Sequence, residues 1–187
     1  MLRIVEETFA DIPARERLLD DAFGLDRAIK TSARLREGRL PARGLALVAR
    51  DGDVLVGTLR FWHVATGDGR ACLMLGPLAV ADSHRDRGIG GKLMRRGLTL
   101  AGALGHKAVL LVGDEPYYRR FGFSRGLAEN LDLPGWYAPE RFLGLELQPG
   151  ALKGAQGMVI ATGGRDESAH VPLRDGDSAS ASEGDRA

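Results

Sequence analysis

Leu75-Gly-Pro-Leu-Ala-Val80-Ala-Asp-Ser-His-Arg85-Asp-Arg-Gly88-Ile-Gly90-Gly91 is the stretch whose reading decides the fold. Its first half closes an apolar run, CLMLGPLAV (72–80), which reads as a strand. Its second half opens IGGKLMRRGLTLAGALG (89–105), where Leu93, Gly97, Leu100 and Leu104 share one side of a helix. Met94, Leu98 and Ala101 lie beside them, and Lys92, Arg95, Arg96 and Thr99 lie opposite. A strand therefore runs through a glycine-rich loop into a helix. The first N–H groups of a helix have no partner within it and carry the positive end of its dipole. Glycines let an anion approach that backbone, and Arg85 and Arg87 add positive charge. The stretch predicts an anion cradle suited to a diphosphate. Gly76-Pro77 predicts a bulge or splay in the strand, because proline cannot donate to a sheet ladder.

Outward from this centre, strand and helix signals alternate. LRIVEET (2–8) reads as a strand, and IPARERLLDDAFG (12–24) as a helix stopped by Gly24. DRAIKTSARLREG (26–38) reads as a more polar helix. LALVAR (45–50), Asp51-Gly-Asp53 and VLVGTLRFWHVA (54–65) form a hairpin with an Asp-Gly turn signal. AVLLVG (108–113) reads as a buried strand, EPYYRRFG (115–122) as a short helix, and FLGLELQ (142–148) and GMVIAT (157–162) as the last strands. This order predicts an α/β (α+β) domain with a mixed sheet covered on both faces. Its expected bounds are residues 1–162. Residues 163–187 carry three arginines and six acidic residues and only Val171 and Leu173 as large apolar groups. They are expected to form a disordered acidic tail.

Composition narrows the function classes. The 187 residues carry 26 basic and 25 acidic side chains, so charge gives no reason to expect a nucleic-acid partner. No apolar run has the roughly 18 residues of a membrane span, and the N-terminus lacks an apolar signal core; a cytoplasmic location is the expectation. Cys72 is the single cysteine, which excludes an internal disulfide and a cysteine-based zinc cluster, and no H-x-x-x-H or carboxylate cluster suggests a metal. The 26 glycines are about twice the usual share. Those at 88, 90, 91 and 122 bear on function.

Two nucleotide-binding fingerprints fail at single positions. A dinucleotide-binding turn would need glycine at 93, where Leu93 stands, and a phosphate-binding P-loop would need glycine at 86 and a hydroxyl after Lys92. The spacing Arg85-x-x-Gly88-x-Gly90 instead resembles the acyl-CoA-binding motif of the GNAT acyltransferase superfamily. A second match lies just after the following strand, where Tyr118-x-x-x-Gly122-Phe123 is similar to that superfamily's tyrosine and glycine-aromatic turn. The resemblance covers roughly residues 1–150. The GDEPYYRRFGF run (113–123) looks most like a bacterial group of predicted N-acetyltransferases with poorly defined substrates.

The resemblance implies a splayed, mostly antiparallel sheet and a mechanism. Leu78, Ala79 and Val80 would line the pantetheine arm of acetyl-CoA, with backbone groups of Leu78 and Val80 pairing with it. N–H groups of Asp86, Arg87, Gly88, Ile89, Gly90 and Gly91 would hold its pyrophosphate, assisted by Arg85 or Arg87. The thioester carbonyl would point at N–H near Leu78, and Tyr118 would protonate the departing thiolate. The acetyl group would pass directly, in a ternary complex, to a primary amine. A homodimer is a further expectation by resemblance. Two departures stand out. The asparagine frequent after the fifth strand is replaced by Gly113-Asp114-Glu115, and CLMLGPLAV lacks the carboxylate with which many members deprotonate the amine. Asp114, Glu115, His63 and Glu146 are the candidate bases. The acceptor decides how much a base matters: deprotonating a lysine amine at pH 7 costs roughly 4–5 kcal/mol, and an α-amine only about 1.

Other side chains invite functional readings. Trp136-Tyr137, in a loop bounded by proline and glycine, is the candidate acceptor site. Trp62 reads as sheet packing, and Tyr117 and Phe121 as core. Arg95-Arg96 and Arg119-Arg120 read as solvated helix faces, and Cys72 as a small buried hydrophobe. Gly122-Phe-Ser124-Arg-Gly126 matches the nucleophile-elbow pattern, but the segment before it is helix-like and the only downstream histidine is His170. Two alternatives to the transferase therefore stand: a non-catalytic acyl-CoA-binding module on the same fold, and an esterase using Ser124.

Overall fold

The structure is a computed structural model that describes residues 1–25 and 31–166. In chain order the elements are β1 (Leu2–Glu6), α1 (Ile12–Phe23), α2 (Thr31–Arg34), β2 (Ala46–Asp51), β3 (Val54–Ala65), β4 (Ala71–Val80) and α3 (Ile89–Ala103). They continue with β5 (Ala108–Val112), α4 (Glu115–Tyr118), β6 (Leu131–Asp132), β7 (Phe142–Glu146), β8 (Gly157–Met158) and β9 (Ile160–Ala161). The main sheet runs β1-β2-β3-β4-β5-β7, with β9 on the far end of β3. Every pair in it is antiparallel except β4–β5.

Two features of β4 shape the rest. Leu59 faces Leu78 and Phe61 faces Leu75, so Gly76 and Pro77 bulge opposite Arg60. On its other edge β4 pairs with β5 only at Leu73 and Met74. Beyond those residues the two parallel strands diverge, and the edge of β4 from Leu75 to Val80 has no strand beside it among the described residues. Both the bulge and the mixed, splayed sheet agree with expectation.

Alternation divides the strands between two cores. Leu59, Phe61, Leu73, Leu75 and Val109 meet Leu93, Met94 and Ala101 of α3 on one face. Trp62, Val64, Cys72, Met74 and Leu110 pack with Leu35, Leu131, Phe142 and Val159 on the other. Leu18 and Leu19 of α1 cover Ala79. Helices thus lie on both faces. Gly97 brings α3 close to the sheet: a Cβ there would stand 2.7 Å from the Phe61 ring and 2.9 Å from Leu59.

Three segments depart from the sequence reading. Of the helix expected over 26–38, Thr31–Arg34 is helical and residues 26–30 lie outside the described residues. The strand expected over 157–162 divides at Val159, with β8 pairing β6 and β9 pairing β3. Residues 163–166, assigned by composition to the tail, are held by the chain after α2. Leu40 N–H donates to the Gly164 carbonyl at 2.9 Å, Arg39 to that of Gly163 at 2.6 Å, and Asp166 N–H to that of Gly38 at 3.0 Å. Backbone pairing needs no apolar side chain, so composition did not reveal it. The remainder of the expected tail, 167–187, lies outside the described residues.

Candidate active site

The loop joining β4 to α3 is built to leave its amides free. Asp86 and Gly88 both adopt left-handed backbone angles, φ 63° and 69°. The first bond of the helix runs from Lys92 N–H to the Gly88 carbonyl at 3.1 Å. Consequently the N–H groups of residues 86–91 have no acceptor among the described residues. Six successive amides at a helix start form a concave donor surface for an anion. Glycine is needed at 88 for its conformation, and at 90 for space: a Cβ there would come 3.0 Å from the Tyr117 hydroxyl. Ile89 contributes only its N–H, since its side chain is core.

The arginines are restrained differently. Arg85 pairs with Asp82 at 2.8 Å and is mostly exposed. Arg87 reaches Asp51 of the β2–β3 turn at 3.3 Å; the same carboxylate lies 3.5 Å from His84 and 3.2 Å from the N-terminal ammonium. Arg95, read as a solvated residue, folds back over Gly91, whose Cβ would lie 3.4 Å from its guanidinium. Tyr117, read as core, places its hydroxyl at the cradle, with Arg120 3.9 Å over its ring.

The free edge of β4 leads from the cradle into the splay. Ala81 N–H donates to the Val56 carbonyl at 2.9 Å, so Ala79, two residues back, also turns its polar groups toward β3. Leu78 and Val80 must then turn theirs to the open edge. Two of the three expected pantetheine contacts thus have backbone groups available. Ala79 is the exception: its backbone belongs to the β3 ladder and its side chain to the α1 core.

Where β4 and β5 part, a cavity of about 750 Å³ opens between them, under α1 and the chain after α2. Tyr118 lines it with Leu75–Leu78, Leu111–Asp114 and Trp136–Ala138. Tyr118 lies flat on the chain at Gly113, where a Cβ would fall 2.2 Å from its ring. Its ring also meets Tyr117 and Phe123 edge-on. Burial pushes its phenol up to about 12, with Tyr117 and Asp114 acting the same way and Arg141 opposing. The hydroxyl is thus a proton donor at any physiological pH.

The structure separates the four candidate bases. Asp114 lines the cavity, paired with Arg141 at 3.2 Å. His63 cannot reach it, because strand alternation turns Trp62 toward the cavity and His63 to the other face, where its ring lies 5.4 Å from His106. Glu146 accepts from the N–H groups of Gly150 and Leu152, both at 2.8 Å. Glu115 is absent from the cavity lining. Sequence reasoning missed Glu16, Arg36, Glu37 and Arg60, which also line the cavity. Arg60 is held by buried Glu7, which also accepts from Arg15 at 2.7 Å. None of these lies in a motif, and only α1 and the chain after α2 folding over the sheet brings them together.

Trp62 and the Trp136-Tyr137 pair both reach the cavity. The Trp62 indole N–H donates to the Gly76 carbonyl at 2.6 Å, fixing the ring against the bulge. Tyr137 donates its hydroxyl to Asp132 at 2.7 Å and stacks edge-on to Phe142. Ser124 forms a two-way backbone bridge with Gly144 after a short 3-10 turn, so no strand precedes it and no nucleophile elbow forms. Cys72 is buried as expected, and burial raises its thiol to about 11. Among the described residues no group of three or more His, Cys, Asp or Glu could hold a metal, and no helix is long and apolar enough to cross a membrane.

Known proteins share this family and fold. The acetyltransferase (GNAT) family matches residues 12–123. An uncharacterized N-acetyltransferase of Escherichia coli K12, YhbS, is 33% identical over 152 residues, 80% of this chain and 89% of that protein. Its crystal structure in complex with CoA superposes with a TM-score of 0.72 at 30% identity, covering 87% of this chain and 89% of that one. A GNAT family acetyltransferase from Brucella melitensis in complex with acetyl-CoA gives 0.65 at 27% identity, covering 87% and 96%. With its family match, its relatives and its splayed sheet in agreement, the chain belongs to the GNAT family of N-acetyltransferases.

Proposed function

We propose that this protein transfers an acetyl group from acetyl-CoA to a primary amine by direct attack in a ternary complex. The observation that carries the reading is the continuity of three parts: six free amides at residues 86–91, the open edge at Leu78 and Val80, and the cavity holding Tyr118. An elongated acyl donor with a diphosphate at one end fits that sequence of sites. The bound CoA and acetyl-CoA of the E. coli and B. melitensis proteins support the same donor.

In this reading the amides of 86–91 bind the pyrophosphate, with Arg85 or Arg87 at its rim. Arg95 and the Tyr117 hydroxyl extend the cradle. Leu78 N–H faces the thioester carbonyl and stabilises charge building on its oxygen. The amine nitrogen forms the new C–N bond, the C–S bond breaks, and Tyr118 gives its proton to sulfur, recovering one released by the amine. A phenol near 12 and a thiol near 8.5 make complete transfer in the resting site uphill by roughly 5 kcal/mol. Tyr118 therefore acts chiefly by donating a hydrogen bond to sulfur as the C–S bond breaks. Asp114, paired with Arg141 at 3.2 Å, is the remaining candidate base at the cavity, and the amine proton passes to it or to solvent.

Tyr118→Phe tests the assignment. Removing a positioned proton donor costs about 10²–10³-fold in kcat, measured as thiol release from acetyl-CoA, while calorimetry shows acetyl-CoA binding unchanged. An undiminished kcat would remove Tyr118 from the chemistry. Acetyl-CoA binding without turnover of any amine would leave the binding-module reading.

A further inference from the structure

We propose that the acceptor is a small cationic amine with a planar aromatic body, an arylalkylamine. This rests on the transferase reading above and specifies what enters beside Tyr118. The cavity's volume, about 750 Å³, which the acceptor shares with the thioester end of the donor, lies within the range of small-molecule sites. Its walls come from both sides. Phe23, Ala33 and Arg36 approach from α1 and the segment around α2, and Trp136, Tyr137 and Ala138 from the loop before β7. A polypeptide acceptor would have to pass between these walls, whereas a small molecule fits within them.

The walls are aromatic, and two of the rings are held in place. The Trp62 indole is anchored on Gly76, and Tyr137 on Asp132 and Phe142. Both rings line the same cavity as Trp136, whose side chain is 87% exposed. Fixed rings offer flat apolar surface at little entropic cost, which selects a flat apolar ligand.

The charges of the lining choose its sign. Arg60 is engaged by Glu7, Arg141 by Asp114 and Glu16 by Arg15. Arg36 also has a partner. Glu37 alone among the charged lining residues has a side chain with no hydrogen-bond or ion-pair partner among the described residues. The lining carries three arginines and three acids, and its one charged side chain without a partner among the described residues is thus a carboxylate. It can pair with an ammonium group, whereas a ligand carboxylate meets only arginines that already have partners.

The test measures thiol release from acetyl-CoA by the full chain with four acceptors: 2-phenylethylamine, phenylalanine, spermidine and a lysine-containing peptide. We expect kcat/KM for 2-phenylethylamine to exceed each of the others at least tenfold. Trp136→Ala should raise its KM at least fivefold, and Glu37→Gln about threefold or more, with KM for acetyl-CoA unchanged in both. Both residues are exposed, so neither change threatens folding. A preference for spermidine, phenylalanine or the peptide overturns the proposal while leaving the transferase reading intact. So does an unchanged amine KM in Trp136→Ala. Turnover of no amine at all, with acetyl-CoA still binding, overturns both.

Discussion

Tyr118 and Gly113 work as one unit. A ring 2.2 Å from a notional Cβ leaves no room for any side chain at 113. The Gly113 backbone has no left-handed φ, so alanine is opposed by the ring alone. Gly113→Ala should therefore displace Tyr118 from the cavity and lower kcat at least tenfold, toward the Tyr118→Phe value, with acetyl-CoA affinity retained. Wild-type kcat in Gly113→Ala would show that the ring's placement does not matter. The raised phenol also predicts a pH profile. A proton donor must be protonated to act, and a group near 12 stays so throughout the accessible range. The rate should rise with pH as the amine loses its proton and show no descending limb from Tyr118 below about pH 11. A tyrosine-dependent fall near pH 9 would contradict the assignment. The legibility of these residues differed. Tyr118 was recognisable because it sits in a contiguous motif. The need for glycine at 113 was not, because it depends on where a ring five residues later comes to rest.

At the scale of elements, β4 and α3 divide the labour. The bulge at Gly76-Pro77 and the divergence from β5 free the edge of β4, and the left-handed residues at 86 and 88 free the amides at the start of α3. The bulge and the glycine at 88 were readable, since proline and glycine act locally on the backbone; the left-handed Asp86 was not. How closely α3 approaches the sheet was not. Gly97→Ala sets two effects against each other. Alanine favours the helix by about 1 kcal/mol, but its methyl would meet Phe61 and Leu59 at 2.7–2.9 Å, an overpacking that typically costs about 1–3 kcal/mol. Because both neighbours are fully buried, overpacking should win. Thermal unfolding should show a lowered Tm, by roughly 2–6 °C. An unchanged or raised Tm would mean that α3 shifts freely on the sheet.

For the whole molecule, the segment 157–166 ties distant parts together. It pairs with β6 through β8, extends the edge of β3 through β9, and reaches the chain after α2 through Gly163–Asp166. That last contact supports Arg36 and Glu37 at the cavity. A chain ending at Thr162 loses four hydrogen bonds that a chain ending at Asp166 keeps, to Gly38, Arg39, Leu40 and His63, at about 0.5–1.5 kcal/mol each. The shorter chain should unfold at lower denaturant concentration; equal midpoints would show that the strap contributes nothing. By itself, the sequence determined the strand, loop and helix of the cradle, the alternating order of elements and the family tyrosine. Each depends on neighbours in the chain, through backbone angles, free amides and side-chain periodicity. Only the tertiary structure decided which side chains share the cavity. It turned Trp62 inward and His63 outward, retained Asp114 while excluding Glu115 and Glu146, and brought in Glu16, Arg36, Glu37 and Arg60. Those residues come from segments far apart in the chain, and packing across the splayed sheet is what brings them together.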